Sequence, residues 1–98
     1  MKAPCVYILA NRRHGTLYLG VTSHLPRRIA AHREGIMAAF TRYHDVQRLV
    51  WFEEHGDMPA AIERERQLKQ RNRVWQLRLI EERNPDWRDL ATEMDPAR

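Results

Sequence analysis

The chain has 98 residues, 43% of them hydrophobic, which suits one domain with a modest core. Its single cysteine, Cys5, excludes an internal disulfide, and its longest wholly apolar run, residues 5–10, is far too short to span a bilayer. With 17 Lys plus Arg against 13 Asp plus Glu the net charge is +4, which favours a polyanionic partner such as nucleic acid.

Only Lys2 and Lys69 are lysines, so the positive charge is nearly all arginine, whose planar fork matches phosphate oxygens. The N-terminal stretch has one Lys and a brief apolar run but no cleavage site, and a disulfide-free chain fits a reducing compartment, so a cytoplasmic protein is expected.

Residues 5–10, CVYILA, read as a strand that is apolar on both faces and therefore central. Residues 16–22, TLYLGVT, read as a second strand, and the Asn11–Gly15 loop between them predicts a hairpin. If Tyr7 pairs with Tyr18, then Cys5, Tyr7, Tyr18 and Gly20 share one face. Val6, Ile8, Leu17 and Leu19 form the other, which is cleanly apolar. Gly20 leaves a gap where a substrate backbone could approach. Taken alone, the two phenols read better as a cross-strand aromatic pair worth up to about 1 kcal/mol than as chemistry.

Ser23 is the expected N-cap of a helix through LPRRIAAHREG that stops at Gly35. On this helix Leu25, Arg28, Ile29 and His32 share the inward face, and Arg27 points away. An inward arginine needs a carboxylate or an anion. Residues 47–54, QRLVWFEE, read as a third strand. Asp57 caps a second helix, MPAAIERERQLKQR, with an apolar stripe of Ala61, Ile62 and Leu68 and Glu65 in its middle. Such an acid requires Arg28, Lys69 one turn on, or a metal ion. A third helix, VWQLRLIEER, either continues from the second or breaks from it near Asn72. Asn84 and Pro85 predict the N-cap and N1 of a last short turn. The order β-β-α-β-α-α describes a small α+β domain over residues 1–91, with a three-stranded antiparallel sheet flanked by helices and a frayed tail over 92–98.

Ser23 is the only serine and a cap accounts for it, the four glycines make no phosphate loop, and the five histidines lack zinc spacing. What remains inward-facing is two phenols, Tyr7 and Tyr18, with Arg28, His32 and Glu65. One inward acid points to one metal ion rather than two.

At these residues the chain resembles the GIY-YIG nuclease superfamily. VYI at 6–8 and YLG at 18–20 stand at the family's two signatures, with Val6 in place of the first glycine. Arg28 lies eight residues after Gly20, and His32 four further on. IERERQLK at 62–69 resembles the helix that carries the family's metal-binding glutamate, here Glu65. FTRYHDVQRLVWFE and NPDW resemble the stand-alone bacterial group, which lacks the added DNA-binding domain of better-understood relatives.

The resemblance implies an endonuclease that hydrolyses phosphodiesters of nucleic acid, DNA in the first place, with a role in DNA repair or recombination. It implies one Mg²⁺ or Mn²⁺ on Glu65, Arg28 neutralising the transition state, and Tyr7 and Tyr18 sharing the roles of general base and water positioner. His32 would hydrogen-bond a phenol or a phosphate. Arg28 and the dication are expected to favour the phenolate. Gly20 and Asn72 are candidates to line the site, and Arg12, Arg13, Arg27, Arg42 and Arg71 to make sequence-independent phosphate contacts. A partner protein could supply recruitment. The alternative is a nucleic-acid-binding module without turnover.

Overall fold

The computed structural model describes residues 3–34 and 45–93. Their elements are β1 (Cys5–Ala10), β2 (Leu17–Thr22), α1 (Leu25–Arg33), β3 (Arg48–Glu54), α2 (Met58–Lys69), α3 (Arg73–Arg83) and a 3-10 turn (Leu90–Glu93). The strands form one antiparallel sheet in the order β2-β1-β3, so the α+β reading and its element order hold. All six residues of β1 are buried, as an apolar run in a central strand requires.

The hairpin register differs from the expected one. Tyr7 lies opposite Gly20, and Leu9 opposite Tyr18. The loop conformation sets the pairing, with Ala10 opposite Leu17. The Gly15 amide donates to the Arg12 carbonyl at 3.0 Å, His14 takes a φ of 56°, and the Asn11 side chain accepts from the Thr16 amide at 2.9 Å. A slip of two residues leaves every side chain on its expected face. Val6, Ile8 and Ala10 enter one core with Trp51, Ala61, Leu68, Ile80 and Trp87, beneath α2 and α3. Cys5, Tyr7 and Leu9 enter the other with Leu25 and Ile29 of α1 and Leu49 of β3.

The helix ends follow local hydrogen bonding. His24, and not Ser23, caps α1: its Nδ1 accepts from the Arg27 amide at 3.3 Å, while its own amide donates to Thr22 Oγ1. The expected stop at Gly35 lies outside the described residues. Asp57 caps α2 through the Ala60 amide at 2.8 Å. The buried stripe of α2 is Ala61 and Leu68 alone, because Ile62 is 51% exposed. Asn72 caps α3 by accepting from the Trp75 amide at 2.9 Å, which is why the two helices break there.

Asn84 is the C-cap residue of α3 and starts no helix. It is buried, and its amide group donates to the carbonyls of Val50 and Arg88 at 3.1 and 2.9 Å and accepts from the Arg88 amide at 3.0 Å. Those bonds hold the turn that places Trp87, at a φ of 55°, in the core. Residues 94–98 of the expected frayed tail lie outside the described residues. Among the described residues, no helix is long and apolar enough to cross a membrane.

Candidate active site

Tyr7 stands in the middle of the central strand and is fully buried. Its hydroxyl is 2.9 Å from His32 Nε2, and His32, from α1, is itself 2% exposed. The Tyr18 ring lies 6.3 Å from the Tyr7 ring at 41°, and edge-on to His32 at 5.2 Å. Arg28, one turn before His32 on the same helix face, comes within side-chain hydrogen-bonding range of the Tyr7 hydroxyl. Gly20, across the hairpin from Tyr7, has a role that strand propensity could not reveal. A Cβ there would lie 2.5 Å from the Tyr7 oxygen. The glycine makes room for the phenol itself, beside any room it leaves for a substrate.

The electrostatics add burial to the expected effect of Arg28. Burial pushes the Tyr7 hydroxyl above the ordinary phenol range, with Tyr18 and Glu65 adding to the rise. Arg28 pulls the other way by charge and hydrogen bonding, but burial wins. The chain's own groups therefore keep Tyr7 protonated, and Arg28 alone does not create a phenolate. Burial, and then the charge of Arg28, hold His32 below the ordinary histidine range. A neutral imidazole beside a phenol accepts the phenolic O–H at Nε2 and carries its own proton on Nδ1.

Glu65 lies on α2, with 17% of its side chain exposed. Its partner is Lys69 one turn on, with Nζ 3.1 Å from Oε1. No group of three His, Cys, Asp or Glu among the described residues could enclose a metal ion. A divalent ion here would rest on one carboxylate and complete its shell with waters and a phosphate oxygen. Magnesium, which keeps several waters, suits such a donor set. A groove of about 580 Å³ runs along the edge strand β2, walled by Leu17, Tyr18, Leu19, Lys69, Arg73 and Gln76. Arg73 and Gln76 went unremarked in the sequence. Their signal would have been a wheel of α3, whose i, i+3 spacing sets them on one face.

The remaining candidates sit apart from the Tyr7–His32 pair. Arg12 and Arg13 are exposed on the hairpin loop, Arg13 being 3.9 Å from Glu81. Arg27 is exposed and borders a hollow of about 280 Å³ that Arg28 also lines. Arg71 stacks over the Trp75 ring at 5.0 Å. Asn72 is engaged as a helix cap. Arg42 lies outside the described residues.

Comparison with known proteins shows which sequences and folds the chain is similar to. A family profile described as the GIY-YIG catalytic domain matches residues 3–78. A UPF0213 protein of Natronomonas pharaonis is 36% identical over 75 residues, covering 76% of this chain and 87% of that one. A UPF0213 protein of Clostridium perfringens is 39% identical over 75 residues, covering 76% and 80%. Among solved structures, the solution NMR structure of a UPF0213 protein from Bacillus halodurans superposes with a TM-score of 0.55. It has 28% identity and covers 88% of this chain and 90% of that chain.

Proposed function

Since the chain belongs to the GIY-YIG family, we propose that it is a cytoplasmic, metal-dependent endonuclease that hydrolyses phosphodiesters of nucleic acid, DNA in the first place. The observation that carries this reading is the buried bond between the Tyr7 hydroxyl and His32 Nε2, at 2.9 Å. A buried phenol is a poor base by itself, because its raised pKa keeps it protonated. Paired with a neutral imidazole it becomes a relay. Tyr7 accepts a proton from the attacking water while its own proton passes to His32 Nε2, so no free phenolate forms. The water oxygen bonds to phosphorus, the bond to the leaving oxygen breaks, and His32 ends as an imidazolium.

Arg28, within reach of the same hydroxyl, would meet the charge that builds on the phosphoryl oxygens. Tyr18, edge-on to His32, would position the water. Glu65 would hold one Mg²⁺ or Mn²⁺, which supplies charge neutralisation at the leaving oxygen. The exposed arginines at 12, 13, 27 and 71 would grip the backbone without reading sequence, and a partner protein could direct the domain to its substrate.

The test is nicking of supercoiled plasmid, and of an RNA hairpin, with Mg²⁺ or with chelator. The parent should cut only with the ion, and Tyr7→Phe and Glu65→Gln should bind nucleic acid but not cut. Binding without cutting by the parent itself would leave the non-catalytic module as the reading.

A further inference from the structure

We propose that Lys69 is an exchangeable counter-ion: it neutralises Glu65 until the divalent ion binds, and then turns to a backbone phosphate of nucleic acid lying in the groove along β2. This inference rests on the nuclease reading above.

The two partners are placed unequally. The Glu65 carboxylate is sheltered, at 17% exposure, while the Lys69 side chain is 55% exposed. The acid is the fixed partner, and the ammonium is the one free to leave. A half-exposed i, i+4 ion pair is weak, so displacing it costs little. The other cations of α2 are occupied. Arg64 Nε bonds Glu53 at 2.9 Å, and Arg66 chelates Glu63. Lys69 is thus the cation that α2 leaves for Glu65. A dication on Glu65 and an ammonium 3.1 Å from the same oxygen repel each other, so they cannot share it comfortably.

Where the ammonium would go is also set. Lys69 walls the groove together with Tyr18, Arg73 and Gln76, so its stem already borders it. Arg73 is held, its guanidinium donating to the carbonyls of His14 and Gly15 at 2.6 and 2.7 Å. Lysine is a point charge on a four-carbon flexible stem, which suits a cation that must change partners. The ligand chemistry is the phosphodiester backbone.

The experiment measures Mn²⁺ affinity by calorimetry in the parent, Lys69→Met, Arg66→Met and Glu65→Gln. It also measures duplex affinity at saturating Mn²⁺ in a Tyr7→Phe background, where turnover stops. Methionine keeps the stem and removes the charge. Arg66→Met removes an equal charge from the same helix at a cation already occupied by Glu63. Lys69→Met should bind Mn²⁺ on the order of tenfold tighter than the parent, the scale expected for removing an ammonium about 5 Å from a dication. It should also lose duplex affinity several-fold more than Arg66→Met. An unchanged or weaker Mn²⁺ affinity, or equal duplex losses in the two variants, overturns the exchange. If Glu65→Gln binds Mn²⁺ like the parent, the metal assignment fails and the exchange with it. If Glu65→Gln loses the ion while Lys69→Met matches the parent, only the exchange fails.

Discussion

Adding one methyl group at Gly20 tests the register and the site together. An alanine Cβ at this position would lie 2.5 Å from the Tyr7 oxygen, 2.6 Å from Cζ and 2.9 Å from Cε1. Ordinary carbon contacts lie at about 3.5–4.0 Å, so roughly 1 Å must be opened. Tyr7 cannot yield it freely, being fully buried with its hydroxyl tied to His32 at 2.9 Å. Overpacking of this kind costs about 1–3 kcal/mol. A chain of this length loses about 4–8 °C in Tm per kcal/mol, so Gly20→Ala should melt roughly 4–24 °C below the parent. The low end applies if β2, an edge strand, moves outward. The high end applies if the phenol is driven off His32. A displacement of about 1 Å at a reacting group can cost on the order of a hundredfold in rate. Nicking by Gly20→Ala should fall by about that much. Gly56→Ala serves as the control, since a Cβ there meets nothing within 4 Å. It should leave both Tm and rate near the parent. A Gly20→Ala protein with parental Tm and parental nicking would mean that Tyr7 does not lie against Gly20, and the β1–β2 register would be refuted.

Three further outcomes follow from the same geometry. Arg28→Ala should lose on the order of a hundredfold in turnover with little change in duplex affinity, whereas Arg27→Ala should do the reverse; melting curves of both must show intact folds. His32 titrates below the ordinary histidine value of 6.5 because it is buried near Arg28. The unfolded chain therefore binds more protons as pH falls below about 6.5, and Tm should drop on the acid side of that value. His32→Gln should flatten this slope, and a pH–Tm series on the two proteins checks it. Asn84→Ala leaves the Val50 and Arg88 carbonyls and the Arg88 amide without their partner. It should destabilise by about 2–4 kcal/mol in a urea titration while leaving Mn²⁺ affinity untouched.

What the sequence made legible, and what it did not, divides along physical lines. The faces of β1 and β2 were readable because side chains alternate with period two, and a slip of two residues leaves that alternation intact. The pairing itself was not, because it depends on a loop in which His14 adopts a positive φ and Asn11 bonds Thr16. Nothing in the composition of Asn11-Arg12-Arg13-His14-Gly15 marks that conformation over a tighter turn. Periodicity also set Arg28 and His32 on one face of α1, but could not say that His32 would meet a phenol. That contact depends on how far α1 sits above β1, which packing of Leu25 and Ile29 decides. The charge reading gave the direction of the Arg28 effect and left out burial. Arg28 lowers the Tyr7 hydroxyl as expected, yet desolvation of a fully buried ring outweighs one partly exposed guanidinium. The result changes what His32 is for. A phenol that stays protonated can serve as a base only if it hands its proton on as it receives another. The residue that takes that proton must itself be neutral near physiological pH. Burial keeps Tyr7 protonated and His32 neutral, so a proton and a lone pair face each other across a 2.9 Å bond. It also moves the two proton affinities apart, so the transfer to His32 is uphill unless the attacking water hands Tyr7 a proton in the same step.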